Sequence, residues 1–322
     1  MRNETAQSLA EPRLQIVILE PRFRSRRIAF ALLLMLAGWG YYATIDGNFR
    51  SPSSAAFTPP TFLASEVTRP MAASWQPVSV TSGDNTLLRG WLFRPLLPNG
   101  RAVLLMHQTG GTRLNELNHV PWLLRHGFAC LTADGRGHGE SGGKLVTAGL
   151  LEGADVVEWA RFLRDTERAQ AVFGLGHSLG ASSLIHGLAL GADLRRVIAD
   201  STGANMPTRY SLLAERYGAP MSLVRLLGWL FVEPALWNVR VRYGLDLNQI
   251  SPVDWIRRVR APVLLVHGDR DNFIPIEEAR RIRDANPSHV WMWEVAGAGH
   301  VTAATLDPGE YQRRVLAWFD AD

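Results

Sequence analysis

The 322-residue chain holds a single cysteine, Cys130. One thiol excludes an intramolecular disulfide framework and any multi-cysteine zinc or iron–sulfur site. Its setting, Phe128-Ala129-Cys130-Leu131, is apolar and reads as a small buried hydrophobe. Lysine is equally scarce, with Lys144 the only one among the 34 basic residues. A basic stripe is missing too, although the net charge of +4 and a pI near 9.6 invite a search for one. Residues 1–27 carry six arginines against three glutamates, while residues 46–322 carry 28 basic and 27 acidic groups. The body is therefore close to neutral, which argues against nucleic-acid binding. No internal repeat is present. With 47 % hydrophobic and 20 % charged residues the composition is that of a globular protein, of one large domain plus an extra segment or of two domains.

Charge is absent altogether from residues 28–45, which read IAFALLLMLAGWGYYATI. As a helix this run would span about 27 Å, just enough for a hydrocarbon core of ~30 Å. Arg22, Arg24, Arg26 and Arg27 precede it, Asp46 follows it, and Trp39, Tyr41 and Tyr42 suit the far interface. The expectation is a basic cytoplasmic head (1–27) and a transmembrane signal anchor (28–45). The rest of the chain then lies on the periplasmic or extracytoplasmic side. A signal peptide cleaved near Ser54-Ala55-Ala56 and a buried core helix are the alternatives. Residues 46–75, rich in Ser, Pro and Ala, read as an extended tether.

From residue 76 to 322 strands and helices alternate. A meander over Val78–Thr81 and Thr86–Pro95 leads into short apolar runs at 102–106, 128–132, 171–175, 197–199, 262–266 and 290–295. Helical stretches fall near 113–125 and 151–165, after Ser178, around 280–283 and over 311–319. This order implies a mostly parallel sheet covered on both faces, with an antiparallel start. Residues 203–250 interrupt the alternation as a helical insertion, expected to form a small cap, with the apolar stretch Leu223–Trp237 inside it.

The chemistry concentrates at Gly176-His177-Ser178-Leu179-Gly180, directly after an expected strand and opening an expected helix. Such a turn needs small residues two places either side of the serine, and it lifts the hydroxyl to the sheet edge. A serine nucleophile requires a base, and the base an orienting acid. His300, in Gly297-Ala298-Gly299-His300, follows the last strand. Asp269 and Asp271 both lie on the loop after the 262–266 strand. Two amides are needed for the oxyanion: Leu179 supplies one, and Thr109, in the loop His107-Gln108-Thr109-Gly110-Gly111, the other. His107, Gln108 and His177 are candidate substrate-binding positions, His107 and His177 reading also as packing residues.

These features resemble the α/β-hydrolase family over about residues 78–320. The resemblance rests on Leu104-Leu105-Met106-His107 with its following glycines, on the run Asp134–Ser141 (DGRGHGES) and on the serine turn. It rests also on Pro262–Gly268 with Asp271 and Pro275, and on Gly299-His300. Within the family the chain looks most like the serine-aminopeptidase and monoacylglycerol-lipase branch. Gln108 departs from the pattern, which has glycine there. The resemblance implies an eight-stranded type of sheet and selects Asp271 over Asp269 through the spacing Gly268-x-x-Asp271-x-x-x-Pro275. It also implies a Ser178–His300–Asp271 triad that cleaves an ester or thioester, a lipophilic acyl group being one option, and calls for no cofactor or metal. A serine at the turn speaks against dehalogenase and epoxide-hydrolase chemistry. A serine peptidase and a catalytically silent binding module remain as alternatives.

Overall fold

A computed structural model of the chain describes residues 60–204, 222 and 233–321. The head, the apolar run 28–45 and the tether up to residue 59 lie outside the described residues. Among those described, no helix is long and apolar enough to cross a membrane.

Among the described residues the strands are β1 (Ser74–Thr81), β2 (Leu87–Arg94), β3 (Arg101–Met106), β4 (Ala129–Ala133), β5 (Ala171–His177), β6 (Arg196–Asp200), β7 (Val263–Gly268) and β8 (Val290–Val295). They form one sheet in the order β1-β2-β4-β3-β5-β6-β7-β8. Only β2 runs against its neighbours, pairing antiparallel with both β1 and β4. All later pairings are parallel. The continuous apolar runs have the expected consequence: β5 and β6 are buried at every residue.

Side chains alternate between two cores, as the two-residue period of a strand demands. Leu104 and Met106 of β3 point into one, which also takes Trp159, Leu184, Ile185, Ile256 and Ile282 from helices. Val103 and Leu105 point into the other, with Leu123, Tyr311, Val315 and Phe319. Helices Glu152–Arg161, Leu179–Ala189, Pro252–Ile256 and Ile276–Ala285 thus cover one face. Phe62–Thr68, Val120–Arg125, Ala303–Leu306 and Pro308–Asp320 cover the other. Cys130 is buried in the second core.

One sequence expectation needs correction here. The tether does not stay extended to residue 75. Phe62–Thr68 is helical, a 3₁₀ turn follows at Arg69–Met71, and β1 begins at Ser74. The reason is a small anchor in the second core. Ala64 is fully buried, and the Trp75 indole donates to Ser65 Oγ at 3.1 Å. The stretch 113–125 is likewise a 3₁₀ turn, Arg113–Glu116, and then the helix Val120–Arg125, opened by Pro121 in its first turn. Of the insertion, residues 205–221 and 223–232 lie outside the described residues. The remainder is helical over Glu233–Tyr243, with Trp237 and Val241 exposed.

Candidate active site

Strand register brings the candidate residues to one edge. Met106 pairs with Gly176 and His177 with Asp200, while Gly268 pairs with Val295. The loops after β3, β5, β6, β7 and β8 therefore leave the sheet side by side. Ser178 follows β5 immediately and takes φ 51°, ψ −104°, a conformation that costs a non-glycine residue energy. Both flanking glycines are sterically required. A Cβ on Gly176 would lie 2.6 Å from the Gly180 carbonyl carbon, and one on Gly180 would lie 2.2 Å from the Met106 oxygen.

The serine hydroxyl meets His300. Nε2 of His300 lies 3.1 Å from Ser178 Oγ, and Nδ1 lies 2.7 Å from Asp271 Oδ2. Asp271 is buried, and its other oxygen accepts the amides of Phe273 and Ile274, each at 2.8 Å. His267 also approaches Asp271 Oδ2, at 3.4 Å. Burial works against a charged Asp271, yet these hydrogen bonds prevail and hold its carboxyl well below the usual range. The exposed Phe273 ring leans on the imidazole of His300 at 4.9 Å between centroids. Asp269, the rival acid, is exposed and instead accepts the Gly297 amide at 2.7 Å.

The loop after β3 is held by two histidines. His107 Nε2 accepts the Gly135 amide at 2.9 Å, so its Nδ1 donates to the Gln108 carbonyl at 2.7 Å. Burial, then the nearby His138, lower the pKa of His107 to about 4, so the ring is neutral. His138 accepts the Gly110 amide at 3.1 Å and contacts the Arg136 carbonyl at 2.9 Å. Gln108 needs no left-handed backbone, and its carbonyl accepts the Gly111 amide at 3.0 Å. The missing glycine therefore leaves the turn intact. Thr109 is exposed at the crest of the loop, whereas Leu179 is buried as the first residue of its helix.

His107 and His177, read as substrate-binding or packing positions, both turn their rings inward and are committed to neighbours. His107 is 2 % exposed and fully hydrogen-bonded. His177 is 4 % exposed, with Nδ1 3.1 Å from Glu116 Oε1. Gln108 alone of the three is partly exposed.

The sequence reading missed several supporting groups. Asp134, fully buried, accepts the Arg113 amide and guanidinium and the Glu140 amide. The Asp200 carbonyl accepts the Ser178 amide at 2.8 Å. Ser201 Oγ accepts the Val301 amide at 3.0 Å, just past His300. Asp134 lay in a run already singled out, but nothing in the sequence marked Ser201. Glu116, His119 and His177 form a buried cluster whose ligand-type atoms all lie within 4.8 Å of one another.

A hydroxyl 3.1 Å from an imidazole, itself tied to a buried carboxylate, is arranged to give up its proton as it attacks an electrophilic carbon. The profile of the alpha/beta hydrolase family matches residues 103–313. The uncharacterised protein YqkD of Bacillus subtilis is 26 % identical over 225 residues, 68 % of this chain and 70 % of that one. Esterase LipC of Mycobacterium tuberculosis is 43 % identical over 63 residues, which is 18 % of this chain and 16 % of LipC. Among solved structures, the Pyrococcus furiosus esterase Pf2001 superposes with a TM-score of 0.62 at 24 % identity, covering 78 % of this chain and 94 % of that one.

Proposed function

Since the chain belongs to the alpha/beta hydrolase family, we propose that it is a serine hydrolase that cleaves carboxylic esters or thioesters through an acyl-enzyme. The observation that carries this reading is the unbroken chain of contacts from Ser178 through His300 to Asp271. Ser178 Oγ attacks the carbonyl carbon while its proton passes to His300 Nε2. Asp271 holds the imidazole in the tautomer with hydrogen on Nδ1 and stabilises it once charged. The Leu179 and Thr109 amides receive the oxyanion. Collapse breaks the bond to the leaving group, which takes the proton from His300. Water then repeats the sequence on the acyl-serine and regenerates the hydroxyl. The scheme draws only on this chain's own groups and water.

The esterase names of LipC and of the Pyrococcus structure favour ester over peptide cleavage. The apolar stretch 223–237 supports a lipophilic acyl group, which an ester series of increasing chain length would reveal as rising kcat/KM. We further infer from residues 1–45 that the domain is anchored on the far side of a membrane. Fractionation and protease protection of intact cells test that placement.

Fluorophosphonate labelling of the purified protein is the direct test. Labelling that disappears in Ser178→Ala is the expected result. Labelling that persists would move the nucleophile elsewhere. Well-folded protein that is neither labelled nor active on ester, thioester and peptide panels would favour a silent binding module.

A further inference from the structure

The mechanism above makes no use of the buried charge cluster beneath the serine turn. We propose that the Glu116–His177 pair is a positioning device that sets the spacing between the two halves of the oxyanion site; the inference rests on the serine-hydrolase reading.

Position in the chain is the first argument. Glu116 ends the 3₁₀ turn Arg113–Glu116, which closes the loop carrying Thr109. His177 is the last residue of β5 and directly precedes Ser178 and Leu179. The near end of the Thr109 loop is held to β5 by sheet register, Met106 against Gly176. Its far end is held to β5 by Glu116 Oε1 and His177 Nδ1, 3.1 Å apart. Arg113 ties the same loop to Asp134, in the run beside it and not at the serine turn. The Glu116–His177 contact thus joins the two segments whose amides must face one oxygen.

Burial and charge are the second. Glu116 is 1 % and His177 4 % exposed, so neither can exchange its partner for water. His119 stacks on His177 at 5.1 Å between ring centroids. Asp200 stands abreast on β6, and Tyr311 reaches it from the C-terminal helix, its OH 3.4 Å from Asp200 Oδ2. Burial alone would disfavour a charged His177, but Glu116 and then Asp200 raise its pKa to about 9. Burial and the charge on His177 lower His119 to about 4. At neutral pH the cluster therefore holds one cation, His177, against Glu116. Deleting one partner of such a pair strands the other in a dry interior, so the loop must move to relieve it. Glu116 Oε2 has no partner, which leaves room on that carboxylate for a second donor. A metal reading of the trio is less favourable. Glu116 Oε1 and His177 Nδ1 already engage each other at 3.1 Å, and a metal would have to break that pair.

The test uses the full chain with Glu116→Gln and His177→Arg. It follows 4-nitrophenyl ester turnover, the rate of fluorophosphonate labelling, pH profiles, thermal unfolding and metal content. Glu116→Gln keeps shape and loses charge. It is expected to lower kcat and the labelling rate by about 10- to 100-fold, with KM within about twofold, since an amide displaced by a fraction of an ångström serves the transition state and not binding. The wild type should lose activity as pH rises through about 9. The guanidinium of His177→Arg can engage both Glu116 oxygens and stays charged. It should keep more activity than Glu116→Gln and carry the alkaline fall to higher pH. A folded Glu116→Gln with wild-type kcat and an unchanged profile overturns the inference. So does stoichiometric metal whose removal abolishes activity. Should Glu116→Gln fail to fold, the His177→Arg profile decides, and an alkaline fall identical to wild type overturns the inference. Absence of labelling in the wild type itself would instead sink the serine-hydrolase reading.

Discussion

Replacing Gly180 by alanine separates the geometry of the serine turn from the stability of the fold. The added Cβ would fall 2.2 Å from the Met106 carbonyl oxygen and 2.6 Å from its carbon. Both are backbone atoms of β3, whose register with β5 is set by six residue pairs. Contact below 3.0 Å forces a shift, so the turn must lift from β3 by roughly 1 Å. Overpacking of this kind costs about 1–3 kcal/mol, offset by up to about 1 kcal/mol because alanine is the better helix former. For a domain of this size the net change is a fall in Tm of only a few degrees. Catalysis is far more sensitive, since a nucleophile misplaced by about 1 Å loses on the order of 100-fold in rate. Steady-state ester hydrolysis read beside calorimetry should show kcat falling some hundredfold while most of the stability survives. Gly299→Ala is the control. Its Cβ would meet nothing closer than Thr302 Oγ1 at 3.7 Å, so kcat should change less than about threefold. Wild-type kcat in Gly180→Ala would refute the claim that close approach to β3 sets the serine turn.

Other perturbations have equally definite outcomes. Asp134→Asn leaves the buried Arg113 guanidinium facing Glu140 alone and should cost about 3–5 kcal/mol in urea unfolding; a loss under about 1 kcal/mol would contradict the geometry. Asp271 has a lowered pKa in the folded chain, so its stabilisation is present above the ordinary value of 3.8 and is lost as pH falls below it. Asp271→Asn should flatten that acid-side loss and reduce kcat by about 10⁴-fold, read from unfolding against pH and from ester turnover. Ala64→Asp places an unpaired carboxylate in the second core and should destabilise by about 3 kcal/mol or more, whereas an extended, unpacked tether would tolerate it.

The site was largely legible in the sequence because its demands are local. A turn that must hold a serine at positive φ writes glycines at fixed offsets, and Gly176 and Gly180 stand at them. Strands buried on both faces write continuous apolar runs, so the strand Ala171–His177 was legible over 171–175. The acid was harder: Asp269 and Asp271 share a loop, and the sequence preferred Asp271 only through a family resemblance, whereas burial and the reach to His300 separate the two physically. The helix Phe62–Thr68 was illegible because its surroundings are rich in Ser, Pro and Ala, and what folds it is a distant core that accepts Ala64. For His107 and His177 the sequence left packing and substrate contact both open, since nothing local reveals that Gly135 and Glu116 claim them.

The least legible feature ties Ser178 to the loop of His300. Ser178, Ser201 and Val301 all have positive φ, at 51°, 58° and 56°. Such conformations cost on the order of 1–3 kcal/mol each, most for a β-branched residue such as Val301. Each stands at a loop leaving the same sheet edge, and one corner of β6 binds them together. The Asp200 carbonyl accepts the Ser178 amide, and Ser201 Oγ accepts the Val301 amide while donating to Asp200 Oδ1 at 2.8 Å. The Ser201 amide in turn donates to Val266 on β7, the strand whose loop carries Asp271. Ser178, His300 and Asp271 are therefore not carried by three loops placed independently. Their backbones are referred to a single buried corner, so displacement of that corner moves the hydroxyl and the imidazole together. The strain is sustainable because β5 and β6 are buried along their whole length and give it no soft direction in which to relax.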